Sequence, residues 1–293
     1  MIANLNDRAS KVVEQLIERA DERRVEVHLI EGGGRVVDCG IKARGGLAAG
    51  LDLARVCMGD LATIDLVPGD IAGRAIPYVQ VSTDHPVQAC MASQYAGWAI
   101  SLKDEKYFAM GSGPMRAANG EEMVYMLIGF RESSPRVVGV LETDKLPGPA
   151  VIAKIAEGCR VSPGSVTLLA APTASIAGGV QVVARSVETA LHKLFELGFD
   201  LKRIVSAHGI APLPPVAKND LAAIGRTNDA MLYGARVNLY VTGDDASLEA
   251  IGPKVPSSSS HDHGEPFEAI FKKYNYDFYA VDNGSDVISE NAS

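Results

Sequence analysis

A layered α/β fold is predicted for this chain, and three features of the sequence carry the prediction. The first is composition: 47% of the residues are hydrophobic and only 6% aromatic, the profile of an aliphatic globular core. The second is length, because 293 residues suit about two domains and can bury most of their apolar surface. The third is rhythm. In the second half, short β-branched runs alternate with helical patterns, as in layered α/β architectures.

Taken in order, residues 7–24 place Val12, Val13, Leu16, Ile17 and Ala20 at helical spacing behind a cap from Asp7 or Ser10. Val25 to Ile30 and Arg35 to Cys39 read as the arms of a hairpin around Gly32-Gly33-Gly34, with His28 a strand histidine rather than a ligand. An amphipathic segment runs from Gly45-Gly46 to about Cys57, and strands follow at Ala62 to Val67 and Tyr78 to Ser82. A helix after Asp84-His85-Pro86 carries Val87, Cys90, Met91 and Tyr95, and the strand Tyr107 to Met110 runs into Gly111-Ser112-Gly113-Pro114. The second half reads as strand Val137 to Leu141, helix Pro149 to Cys159, strand Val166 to Ala171 and helix Val180 to Leu197. Strand Ile204 to His208, a bend at Pro212, Pro214 and Pro215, a short helix Leu221 to Ile224 and strand Arg236 to Val241 complete it. The break at Ala117-Ala118-Asn119-Gly120 divides the chain into an N-terminal α/β domain, 1–118, and a second, 119–244, with 245–293 as a segment that would complete the first. Ser257 to Ser260 reads as a mobile surface loop and the tail from Asp282 as polar and frayed.

A net charge of −8 gives no sign of the basic patch that nucleic-acid binding normally shows. The first residues lack a basic region followed by an apolar run, and no stretch approaches the roughly 18 uncharged apolar residues that span a bilayer. The four cysteines are scattered and read as reduced thiols, so the expected setting is cytoplasmic. His261-Asp262-His263 offers two histidines without further patterned ligands, which is a poor metal site. Neither HExxH nor Gly-x-Ser-x-Gly occurs, which counts against zinc hydrolysis and serine acyl transfer.

The helix expected from Val180 to Leu197 is the most informative element. Val180, Val183, Ala184, Val187, Leu191, Leu194 and Phe195 form one apolar stripe, and Arg185, Glu188 and His192 lie along its flank. A carboxylate at the edge of a buried stripe is driven toward protonation, and an arginine a turn away pulls it back, the balance a general base needs. On spacing alone, an ordinary surface ion pair is the simpler account. Upstream, Thr173 and Ser175 sit between a strand and a helix start, where they could cradle an anion or simply cap the helix. Ser112 and Gly113 follow a strand without the third glycine of a dinucleotide fingerprint, so a ligand-facing turn and a plain turn both fit. Gly225-Arg226-Thr227-Asn228-Asp229 gathers a charge and three hydrogen-bonding side chains between two structured segments, more than a turn requires.

These segments resemble one family. Val56-Cys57-Met58-Gly59, Thr83-Asp84-His85-Pro86, Ala96-Gly97-Trp98, Phe108 to Pro114, Ala171 to Ser175, Gly225 to Asp229, Asp262-His263-Gly264-x-Pro266-Phe267 and Tyr276-Asp277-Phe278-Tyr279 look like methenyltetrahydromethanopterin cyclohydrolases, in the family's order, from about residue 6 to residue 282. The resemblance implies two α/β domains with a pterin pocket between them, usually in a homo-oligomer such as a trimer. It implies reversible hydrolysis of 5,10-methenyltetrahydromethanopterin to the 5-formyl derivative, with no metal or redox cofactor. The family's Arg-x-x-Glu pair falls on Arg185 and Glu188 as catalytic residues. Substrate contacts are expected from Tyr95, Ser112, Gly113, Thr173, Ser175, Arg226, Thr227, Asn228 and Asp229. The chain departs from archaeal-type members at Tyr95, where they carry Lys, and Tyr is more like the bacterial, methylotroph-type members. The family also continues some tens of residues beyond the Asp-Phe-Tyr segment, where this chain ends in an unrelated-looking tail. Two other readings are a nucleotide-dependent oxidoreductase using Gly111-Ser112-Gly113 and a non-catalytic pterin-binding protein.

Overall fold

The structure is a computed structural model that describes residues 4–276. In chain order the strands are β1 (Glu26–Leu29), β2 (Arg35–Asp38), β3 (Thr63–Ile71), β4 (Arg74–Thr83), β5 (Trp98–Leu102), β6 (Tyr107–Ser112), β7 (Val137–Glu142), β8 (Val166–Ala171), β9 (Ile204–Pro212) and β10 (Arg236–Val241). They form a six-stranded sheet, β1-β2-β8-β7-β6-β5, and a four-stranded sheet, β10-β9-β4-β3. Strands β2, β8 and β7 run parallel at the centre of the larger sheet, flanked by antiparallel neighbours. The central strands read as continuous apolar runs: every residue of β8 is buried, and five of the six in β7. That is what a parallel sheet covered on both faces demands. The four-stranded sheet is antiparallel throughout, and β10 alternates exposed and half-buried positions, as a sheet covered on one face does.

The helices are α1 (Leu5–Glu18), α2 (Ala20–Arg23), α3 (Leu47–Cys57), α4 (Met115–Asn119), α5 (Met123–Ile128), α6 (Pro149–Cys159), α7 (Ile176–Val183), α8 (Ser186–Glu196), α9 (Asp220–Gly234), α10 (Asp245–Ile251) and α11 (Phe267–Lys273). One core lies where α7 and α8 meet the four-stranded sheet, and two others cover the faces of the larger sheet. Helices α3 and α7 approach closely because Gly50 has no side chain: a Cβ there would sit 2.7 Å from that of Val180. Among the described residues, no helix is long and apolar enough to cross a membrane.

The layered α/β expectation holds, with these differences in detail. Both sheets draw strands from either side of residue 118, so the sheets do not divide at the Ala117–Gly120 break. That break is instead a short helix, α4, ended by Gly120 in the left-handed region. The helix expected from Val180 to Leu197 is two helices, α7 and α8, separated at Ala184 and Arg185, although the apolar stripe stays buried across the break. Gly225 to Asp229 is not a loop but the middle of α9, which Asn219 caps by accepting from the Ala222 amide at 2.9 Å. Thr227 and Asn228 spend their side chains on the helix's own carbonyls, Ala223 and Ile224, at 2.9 Å each. Strand β9 runs through to Pro212 before the proline bend, and the helix after Pro86 is a π-helix, Val87–Gln94. Ser257–Ser259 forms a 3₁₀ turn whose Ser257 hydroxyl donates to the Leu232 carbonyl at 2.5 Å, so this stretch is pinned to α9. Residues Asp277 to Tyr279 and the tail lie outside the described residues.

Two buried features carry predictions of their own. The Asp38 carboxylate, at the end of β2, accepts from the amides of Gly40, Ile41, Lys42 and Ala43 at 2.7–3.0 Å and so shapes the loop leading to α3. An asparagine offers one acceptor oxygen in place of two, so Asp38→Asn is expected to lower stability by about 2–4 kcal/mol, read as a fall in the urea midpoint with an unchanged slope. All four cysteines are free and buried. Burial pushes the thiols of Cys39 and Cys90 well up and that of Cys159 to about 12. A buried thiol that does not ionise is a poor nucleophile. Cys39, Cys90 and Cys159 should therefore resist iodoacetamide in the folded protein, as should Cys57 by burial alone, and all four should be alkylated once it is unfolded, as counted by mass spectrometry.

Candidate active site

The break between α7 and α8 makes the site. Ala184 and Arg185 leave the helical path there, and α8 restarts with Thr189 donating its amide to the Arg185 carbonyl at 2.8 Å. Arg185 therefore stands at the cap of α8 and Glu188 in its first turn, where the helix dipole favours a negative charge. Both side chains are withdrawn from water, with 8% and 6% of their surface exposed. The ordinary surface ion pair is thus set aside. The charge of Glu188 acts on Cys90, whose thiol it raises further beyond the effect of burial.

Around Arg185 runs a buried polar chain. Its Nη2 donates to the Ser112 hydroxyl at 3.4 Å, which lies 3.2 Å from the Cys57 sulfur, and Gln181 donates to that sulfur at 3.5 Å. Gly113 follows Ser112 with φ at +89°, and its amide donates to the Ser93 carbonyl at 2.7 Å. That amide is occupied and the helix after it has five residues, an arrangement without the exposed amides of a dinucleotide cradle.

Tyr95 lies one turn of α8 further along. Its ring stacks on His192, centroids 4.9 Å apart and planes inclined by 23°. The guanidinium of Arg116 sits 4.9 Å from the centroid of the same ring. Arg116 is wholly buried: its fork meets Glu122 at 2.8 and 2.5 Å, and Nη1 donates to the carbonyls of Met91 and Ser93 at 3.1 and 3.3 Å. Tyr95 thus brings no charge itself but has a cation beside its ring.

A second group lies at the other end of α7. Thr173, Ser175, Arg226 and Thr227 line a largely apolar cavity of about 640 Å³ with Ile76, Leu213 and neighbouring residues. Ser175 caps α7, accepting from the Gly178 amide at 3.0 Å, and Thr173 donates to Glu142. Arg226 donates to the carbonyls of Pro215 and Val216 at 3.1 and 3.2 Å. With eight residues in α7, the two groups are separated by about 12 Å of helix. Asn228 and Asp229 line neither group: Asn228 bonds within α9, and Asp229 accepts from the Phe267 amide at 2.8 Å, its carboxyl raised by burial. A wider, open hollow of about 1260 Å³ on the four-stranded sheet, with Asp84, His208 and Tyr240 in its lining, includes none of the expected site residues.

His261 and His263 do not converge on one point. His261 lies 3.3 Å from Asp262, whereas the His263 ring packs against Tyr233. Among the described residues, no three of His, Cys, Asp and Glu are grouped to hold a metal ion. Sequence reasoning missed Gln94, Gln181 and Arg116, whose burial comes from partners far along the chain.

A two-sheet α/β frame that buries a carboxylate in a helix's first turn, three residues after a buried guanidinium, is of the kind found in enzymes that act on small molecules. The particular family follows from comparison with known proteins. The chain belongs to the Cyclohydrolase (MCH) family, whose model matches residues 4–285. A protein named methenyltetrahydromethanopterin cyclohydrolase from Rhodopirellula baltica is 51% identical over 287 residues, covering 95% of this chain and 84% of that one. Proteins of the same name from Methanosarcina mazei and Methylobacterium organophilum are 45% and 44% identical, covering 96% and 95% of this chain and 88% and 87% of theirs.

Proposed function

We propose that this protein reversibly hydrolyses 5,10-methenyltetrahydromethanopterin to the 5-formyl derivative, with Glu188 moving the protons and Arg185 holding it in place. The observation that carries the reading is the joint burial of Arg185 and Glu188 at the start of α8. The methenyl bridge is an amidinium-like cation, electrophilic enough to meet water without a metal to polarise it. Glu188 takes one proton as the water oxygen bonds to the bridge carbon, giving a neutral hydroxyl adduct. The adduct collapses as the carbon–nitrogen bond breaks: the hydroxyl proton passes to the departing nitrogen and the formyl carbonyl forms. One cation and one water thus give one neutral formyl product and one proton released to solvent.

Arg185 contributes a fixed charge that favours the ionised carboxylate and opposes its rotation. Tyr95, Ser112 and Gly113 would face the pterin, and the cavity lined by Thr173, Ser175, Arg226 and Thr227 would take a further part of the substrate. The reading includes no metal or redox cofactor, a homo-oligomer such as a trimer, and a cytoplasmic setting. The test is spectroscopic. Mixing the protein with methenyltetrahydromethanopterin should bleach the methenyl chromophore's near-ultraviolet absorbance catalytically. A pterin carrier would leave the absorbance in place, and that result would overturn the proposal.

A further inference from the structure

The π-helix Val87–Gln94 ends on a residue with an unusual position. Gln94 is fully buried, and its Nε2 donates to the Ala184 carbonyl at 3.0 Å, at the break between α7 and α8. On the residues of that contact and the break, three buried polar atoms have no hydrogen-bond partner: Gln94 Oε1, Arg185 Nε and Ser186 Oγ. They are half of the six such atoms among the described residues. Buried polar groups are paired almost everywhere in folded proteins. A concentration of unpaired ones beside Glu188 therefore marks atoms arranged for something other than stability.

The backbone around Gln94 is fixed from several sides. Its carbonyl accepts from the Cys57 sulfur at 3.9 Å, and the Ser93 hydroxyl donates to the Cys57 carbonyl at 2.7 Å. The Ser93 carbonyl takes the amide of Gly113 and the guanidinium of Arg116. π-helical turns are rare and gather at functional sites. This one delivers the Gln94 amide into the interior and places Tyr95, the next residue, against His192.

We infer that Gln94 is a positioning residue for the Arg185–Glu188 pair: by holding the Ala184 carbonyl it fixes the direction in which the chain leaves α7, and hence where the two side chains stand. The inference rests on the reading of Glu188 as the proton-transfer group. Misplacing a reacting group by about 1 Å can cost 100-fold in rate. Gln94→Met keeps the length of the side chain and removes the amide. It should lower kcat by about 10- to 100-fold while KM stays within about threefold.

A double-mutant cycle separates positioning from packing, because effects that act through one another are not additive. In a Glu188→Gln background, where the reacting carboxylate is already gone, the same Gln94→Met change should cost less than about threefold in single-turnover rate. An equal loss in both backgrounds, or a wild-type kcat for Gln94→Met, overturns the inference. If Gln94→Met does not fold, Gln94→Leu, which also removes the amide, is carried through the same cycle and decides the matter. A Glu188→Gln enzyme with near-native turnover removes the proton-transfer reading itself, and the positioning role with it. An inactive Glu188→Gln enzyme beside an unaffected Gln94→Met removes only the role of Gln94.

Discussion

Glu188→Gln is expected to turn over methenyltetrahydromethanopterin at least about 100-fold more slowly than the wild type, with the fold intact. The size follows from what a positioned general base contributes, roughly 100- to 10,000-fold. The substitution is close to isosteric, so the first turn of α8 keeps its shape and the buried stripe of Val187, Leu191 and Leu194 keeps its packing. The side-chain amide has no proton-accepting charge, so the water must be deprotonated by solvent instead. Because the defect lies in the chemical step, kcat should fall and KM should change little. Circular dichroism and the melting curve should match the wild type. Near-native turnover by this variant would mean that another group handles the proton, and the site would have to be sought elsewhere.

How much of this could be seen before the structure depends on whether a signal is local. Strands β7 and β8 and helix α6 were legible because each is a self-contained apolar run with clear ends, Pro149 opening α6 among them. The break at Ala184 and Arg185 left no trace in the pattern, since the apolar stripe continues on both sides of it. The π-helix is buried nearly all round, seven of its eight residues, so it offers no apolar stripe whose spacing could tell it from an α-helix. Within α9, Gly225, Thr227, Asn228 and Asp229 are turn-forming types, and propensity alone breaks the helix there. Packing overrides it: a Cβ on Gly225 would lie 3.1 Å from that of Glu268, beside α11. Glu188 stands out in the sequence twice, on the flank of the apolar stripe and in the Arg-x-x-Glu resemblance, but its burial could not be read from either. Arg116 was not, because nothing local announces that an arginine six residues from its glutamate will be sealed from solvent.

That arginine carries the largest expected effect on stability. Arg116→Met should cost about 3–5 kcal/mol, the usual consequence of removing one partner of a buried ion pair. The guanidinium answers the Glu122 carboxylate through two bonds and the carbonyls of Met91 and Ser93 through two more. It also lies 4.9 Å from the Tyr95 ring centroid and 5.5 Å from that of Tyr125, which itself bonds the Ala92 carbonyl at 2.8 Å. Methionine fills much of the volume but donates nothing, so the Glu122 carboxylate and the Met91 carbonyl lose their donor together, while the Ser93 carbonyl keeps only the Gly113 amide. Glu122 is the less buried partner, with 21% of its side chain exposed, so water can relieve some of its loss. Arg116→Met/Glu122→Gln should accordingly recover part of the stability, since it no longer strands a charge. The comparison is made by urea unfolding, with the slope as a check that the unfolded state is unchanged. A loss under about 1 kcal/mol for Arg116→Met would show that the carbonyls and Glu122 find other partners. In that case the cation beside Tyr95 would not be what holds the π-helix in place.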